Sequence, residues 1–331
     1  MIMLHAISMC GYKHEFWFEK TMAWSFFFMS FFFFKAGYFN KGVKSPTWPY
    51  LKDRVRRLLV PYFTWGAIGS AVFFSYLLLW PDCFKKYYRM LTWHHLWDDS
   101  HFWGNPPVWF LFSFFMCYVL VHLTAKVSTL APRHLPLTPL IAIICPFVSY
   151  SLWKEHNPLW MSLNNVFMGM FFFYLGRSWH WLQQRVPRSW LIVLSVVLIA
   201  VFIYGNKHWH GQYDMSLNKF MGRPWGAGIN TVCALVGISG LLLSLPMRRV
   251  PIFGHIGEHS MVYFVAHYPL LYIYAFTHMV FRHTVAYHWE DFILMLLFVF
   301  ITCTWLVPFV EKNAYLSGRY QKKVAAPSIK L

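Results

Sequence analysis

Apolar residues run along this chain in long unbroken stretches, not in the half-faced or alternating patterns of a water-soluble fold. Nine stretches approach the roughly 20 residues that a helix needs to cross a hydrocarbon core. They are 22–39, 58–80, 107–125, 138–153, 161–176, 189–204, 226–245, 260–281 and 292–310. A tenth, Met1 to Cys10, is half a span. Short polar segments join them, and none has the size of a soluble domain. In lipid a backbone must satisfy its own N–H and C=O groups, so each stretch predicts a helix. The expected fold is all-α. It is a polytopic membrane bundle of about ten transmembrane helices with a truncated first helix, in one domain over 1–331 with a cytoplasmic tail from about 312. The opening stretch lacks a basic n-region and a small-residue cleavage site, so it does not read as a signal peptide.

Composition strengthens this picture. Charged residues make up 12 % and hydrophobic residues 58 %, where a soluble domain carries about 25 % charged. Soluble, fibrous, disordered and disulfide-framework classes are excluded. Cys10, Cys83, Cys117, Cys145, Cys233 and Cys303 form no CxxC. They read as small core residues, with no metal site and no disulfide framework.

The net charge of +17 first suggests nucleic acid, but its distribution explains it without one. With the N-terminus in the cytoplasm and sides alternating, the inner segments are 40–57, 126–137, 177–188, 246–259 and the tail. They hold 18 of the 29 Lys and Arg against three acids, Asp53, Glu258 and Glu311. The outer loops hold ten bases against nine acids. The inner side is therefore about +15 and the outer about +1, the asymmetry of the positive-inside rule.

The remaining base, Lys35, lies inside a span. It either snorkels to the interface or faces an anionic ligand. His5 is an ionisable group in an apolar helix, either a hydrogen-bonded structural residue or a proton acceptor working near neutral pH. Arg54, Arg56 and Arg57 precede the Pro61-Tyr62 helix start. They read as lipid-phosphate anchors or as guanidinium forks for a phosphorylated ligand. Trp109 sits in Pro106-Pro-Val-Trp-Phe-Leu111, and His267 lies at depth in the span entered through Gly254-His-Ile-Gly-Glu-His. The outer segments 93–103 and 204–225 are rich in aromatics, histidines and acids, among them Trp93, Asp98, Asp99, Tyr204, His208, His210 and Asp214. These suit sugar stacking and hydroxyl binding, and equally an interfacial aromatic belt. His94, His95 and His101, or His208, His210 and Asp214, carry zinc-ligand side chains, but loop histidines at an interface are commonplace and no metal is expected.

In this order the motifs resemble acyltransferase family 3, membrane proteins that O-acylate envelope polysaccharides and related molecules. The family pattern has a histidine in its first helix, here His5. A Phe-rich second helix ends in Ala36-Gly-Tyr-Phe39, with Ala36 where the family often has Ser. An Arg-rich segment follows, Arg54 to Tyr62, then Val108-Trp-Phe-Leu111 and Phe173 to Gly176. A looser segment spans Gly257, Ser260, Phe264 and His267. Family members usually carry about ten more residues before the histidine. Ten helical residues rise about 15 Å, half a hydrocarbon core. Either the first helix is a half-span capped by neighbours or the chain starts further upstream.

The resemblance implies an acyl-CoA co-substrate, acetyl-CoA being the expected one, entering from the cytoplasm, and no bound cofactor. It implies His5 as the catalytic residue, either as a base on the acceptor hydroxyl or as a carrier of the acyl group. Lys35, Arg54, Arg56 and Arg57 are the expected donor-binding groups. Trp93, Asp98, Asp99 and Trp109 are the expected acceptor-binding groups, and His267 is a further site candidate. The partners are then acyl-CoA, an envelope carbohydrate and membrane lipid, in a bacterial inner membrane. The rival reading is a transporter or flippase for a polar or lipid-linked solute, which would leave acyl-CoA intact. A scaffold subunit would be indifferent to replacement of His5.

Overall fold

A computed structural model describes residues 1–12, 21, 24–40, 46–79, 101–130, 137–155, 159, 163–209, 211–245, 251–282 and 287–319. Helices occupy every predicted apolar stretch. They are α1 (Ile2–Met9), α2 (Phe28–Tyr38), α3 (Thr47–Leu79), α4 (Pro106–Leu130), α5 (Leu137–Lys154) and α6 (Asn164–Gln183). After α7 (Arg188–His208) come a hairpin of β1 (Gln212–Asp214) and β2 (Lys219–Met221), then α8 (Pro224–Ser244) and α9 (Pro251–Glu258). The chain closes with α10 (Ser260–Arg282), α11 (Trp289–Lys312) and α12 (Ala314–Ser317).

Seven of these helices, α3, α4, α5, α7, α8, α10 and α11, are long and apolar enough to span a membrane. The protein is an all-α membrane bundle carrying one small hairpin. α6 has the length but also carries Asn164, Asn165, Arg177 and His180. Asn165 is buried and donates Nδ2 to the Ser216 carbonyl at 3.2 Å, while Arg177 and His180 are exposed towards the C-terminal end of the helix. Lipid meets other faces, such as Ile143 and Phe147 on α5 and Ile301 and Trp305 on α11, all exposed apolar residues.

The packing explains two sequence motifs. Gly37 of α2 faces the Phe173 carbonyl of α6, and Gly176 of α6 faces the Phe34 carbonyl of α2. A Cβ at either position would overlap that backbone. Small residues are what let two helices approach so closely where no hydrophobic force drives them together. Ala36-Gly-Tyr-Phe39 and Phe173 to Gly176 therefore build a helix seam.

A second junction ties α3 and α10 to the loop before α4. Pro269 interrupts α10 and has no N–H, so the Val265 carbonyl loses its helical partner. The fully buried Asn105 supplies the missing donor. Its Nδ2 donates to the Val265 carbonyl at 2.9 Å and to the Trp65 carbonyl of α3 at 3.2 Å. Gly104, at φ +71°, lets this loop lie against Gly69 of α3. Trp65 also donates its Nε1 to the Leu316 carbonyl at 2.9 Å. The start of the expected tail is therefore folded back on α3.

Candidate active site

α1 carries His5. Ala6 and Ile7 are fully buried and fix α1 against α10 and α11. Tyr12 donates to the Tyr287 carbonyl at 2.9 Å and stacks on Trp289 at 5.2 Å, tying the end of α1 to the outer loop before α11. His5 lies four residues before Met9, about 6 Å from the C-terminal end of α1 at 1.5 Å per residue.

His5 forms part of the wall of a cavity of about 330 Å³. Trp109 from α4, Tyr268 from α10, Pro106, His101 and the hairpin residues Gln212, Asp214 and Ser216 contribute to that wall, with apolar side chains such as Phe28 and Met29. The hairpin holds its place through polar anchors. Asn218 accepts from Ser149 Oγ of α5 at 2.5 Å and from the Tyr213 hydroxyl at 2.9 Å, and returns Nδ2 to the Ser149 carbonyl at 3.1 Å. Burial pushes the Tyr213 phenol well up from its ordinary value, which keeps it a donor. Asn230 Nδ2 of α8 donates to the Gly211 carbonyl at 3.0 Å. Asp214 Oδ1 accepts from Ser216 N at 2.8 Å and Ser216 Oγ at 2.6 Å, closing the turn.

His267, also singled out from sequence, lies directly behind His5. The two rings stack with centroids 5.3 Å apart and planes at 30°. Tyr268 meets His5 edge-on at 5.0 Å. Three sequence candidates, His5, Trp109 and His267, therefore meet in one place.

The arginines separate. Arg54 turns inward, its guanidinium 4.2 Å from the Tyr118 ring of α4 and 5.1 Å from Tyr50. Its Nε is buried and makes no hydrogen bond among the described residues. Tyr50 in turn stacks on His122 at 4.4 Å, and His122 Nε2 pairs with Thr47 Oγ1 at 3.1 Å. A π-helical turn, Val55–Leu59, then rotates the chain. It leaves Arg56 and Arg57 exposed, with Arg57 Nε on Asp53 at 2.8 Å. Lys35 is also exposed. It borders a separate cavity of about 160 Å³ beside Ser239 and Leu243, and Arg54 is not part of it. The described residues thus do not bring all four expected donor groups together. Trp93, Asp98 and Asp99 lie outside the described residues.

Sequence reasoning missed His122, Tyr268 and Asn105. Asn105 had a signal in Pro269: a proline deep in an apolar helix implies an orphan carbonyl and a donor elsewhere. Tyr268 had one in its adjacency to His267. His122 is a lone histidine in an apolar stretch, and nothing in the sequence ties it to Tyr50. A larger groove of about 670 Å³ between α5 and α6 contains Arg177 and no histidine, and lies beside exposed Ile143 and Trp181 on the lipid side.

Fold and site together define a polytopic membrane protein with a histidine-bearing cavity between α1, α10, the loop before α4 and the hairpin. Residues 1–311 match the family model of the acyltransferase domain, acyltransferase family 3, and the chain belongs to that family. It is a membrane acyltransferase. No curated protein and no solved structure matches the chain.

Proposed function

We propose that this protein moves an acyl group, acetyl in the simplest case, from acyl-CoA at the cytoplasmic face to a hydroxyl of an envelope glycan at the outer face of a bacterial inner membrane. The observation that carries this reading is His5 on the wall of a cavity rimmed by outer-loop residues. The volume suits one small ligand. Trp109 and Tyr268 offer flat faces to a sugar ring, and Gln212, Asp214, Ser216 and His101 offer polar contacts. His5 takes the hydroxyl proton as the oxygen attacks the thioester carbonyl, and returns it to the sulfur as the C–S bond breaks, so that CoA leaves as the thiol. Donor phosphates are held from the inner side by Arg54, whose Nε is open, with Arg56 and Arg57 nearby at the surface. The test is mass spectrometry of envelope glycans from cells with and without the protein, paired with radiolabelled acetyl-CoA and isolated membranes. Acetyl esters and label transfer that appear only with the protein support the reading. Identical glycans and intact acetyl-CoA would overturn it and return the transporter reading.

A further inference from the structure

His267 is placed to do more than pack. It is fully buried on α10. Its Nδ1 lies 2.7 Å from the Phe264 carbonyl and 3.1 Å from the Tyr263 carbonyl. Carbonyl oxygens only accept, so Nδ1 carries the hydrogen, and in a neutral ring Nε2 then holds the lone pair. Among the described residues no carboxylate lies within ion-pair distance of this ring. Nε2 is buried and has no hydrogen-bond partner there either. The ring stacks on His5 from the side away from the cavity, since His5 and Tyr268 form part of the cavity wall and His267 does not. The order from cavity to core is therefore His5, then His267 with an open acceptor.

We propose that His267 is a positioning residue for His5: a tautomer-locked imidazole whose Nε2 accepts the N–H that His5 carries on the nitrogen facing away from the cavity. A turn of the His5 ring about Cβ–Cγ, a soft torsion for an imidazole, converts the stack into an N–H···N contact. The bond keeps the lone pair of the other His5 nitrogen toward the acceptor hydroxyl. It then supports the imidazolium that forms when His5 takes that proton. Proton balance is simple. The hydroxyl O–H breaks, the proton sits on His5, the new O–C bond forms and the C–S bond breaks, and the proton leaves with the thiol. His267 gains and loses none. This inference rests on His5 being the base.

The test compares His5→Ala, His267→Phe and His267→Gln in the full-length protein, reading kcat, both KM values and the pH profile of kcat for acetyl transfer. His267→Phe keeps a flat ring without an acceptor, and His267→Gln keeps an acceptor oxygen near Nε2. Among the described residues, the other titratable groups on the wall that holds His5 are His101 on the loop before α4, Asp214 on the hairpin, Tyr268 on α10 and the Met1 amino group; none is altered by these substitutions. The expectation for His267→Phe is a kcat roughly 10- to 100-fold lower with both KM values little changed, the loss typical when the partner orienting a functional histidine is removed. Without the supporting bond His5 is less basic, so the acidic limb of the profile moves to lower pH. His267→Gln should recover much of the rate and return the limb toward wild type. A His267→Phe enzyme with wild-type kcat and profile beside an inactive His5→Ala would overturn this inference and leave His5 as base. An active His5→Ala would instead overturn the reading on which it rests. Should His267→Phe fail to accumulate, His267→Gln decides alone: a folded protein as slow as His5→Ala contradicts the proposal, and one within roughly tenfold of wild type supports it.

Discussion

Arg54 and Arg57 are separated by one helical turn, yet the structure gives them different surroundings. Arg54 lies against Tyr118 and Tyr50 with an open, buried Nε. Arg57 is spent on an exposed pair with Asp53. A charge-assisted hydrogen bond contributes about 1.5–3 kcal/mol, so Arg54→Ala should raise the KM for acyl-CoA by about 10- to 100-fold. Arg54→Lys should recover part of it, because the planar fork and its stacking on Tyr118 are lost. An exposed ion pair is worth about 0–1 kcal/mol, so Arg57→Ala should change stability and KM far less. Steady-state kinetics with acyl-CoA varied will separate the two. Equal effects at both positions would mean that both meet the donor, as the family resemblance implies. Charge in a sequence is legible; its direction is not, because the π-helical turn at Val55–Leu59 decides which arginine faces in.

Between elements, the junctions worth testing are those where backbone groups depend on one side chain. Asn105→Ala should leave the Val265 carbonyl buried without a donor, a cost of about 1–3 kcal/mol, and lower the melting temperature of the purified protein. Pro269→Ala returns an N–H to α10, so the Asn105→Ala/Pro269→Ala double variant should melt higher than Asn105→Ala alone. No recovery would mean that the Trp65 contact, not the Val265 contact, matters. The α2–α6 seam makes a harsher prediction. Gly37→Leu should abolish accumulation of folded protein, because the side chain has only the Phe173 backbone to meet; normal yield and activity would contradict the seam. The helices themselves were legible because apolar length alone dictates a membrane span. The hairpin was not, since its three-residue strands carry too few positions for a pattern. Its place is set by Ser149, Asn165 and Asn230, which come from three other helices.

At the scale of the whole molecule, the charge split predicts which loops face outward, and two of those segments, 101–107 and the hairpin, line the cavity that holds His5. A cysteine at exposed Leu217, in the hairpin turn, should react with an impermeant maleimide added to intact cells; one at exposed Trp48, at the start of α3, should react only after permeabilisation. The described native cysteines are all buried and should stay silent. Reversed labelling would invert the topology and with it the assignment of donor and acceptor sides. His5 and His267 were visible as ionisable residues in apolar helices, and Trp109 through its Pro106-Pro-Val-Trp-Phe-Leu111 motif. Their convergence was not, because it depends on α1, α4 and α10 meeting behind one cavity. In the proposed function His5 joins a donor on one side of the membrane to an acceptor on the other. Sealed vesicles with labelled acetyl-CoA confined to the cytoplasmic face and a glycan acceptor confined to the opposite face measure it directly. Wild-type protein should label the acceptor, and His5→Ala, inserted to the same level, should be slower by about 10²–10⁴-fold, the usual yield of a positioned base. Equal labelling by His5→Ala, or labelling only when donor and acceptor share one face, would contradict the account.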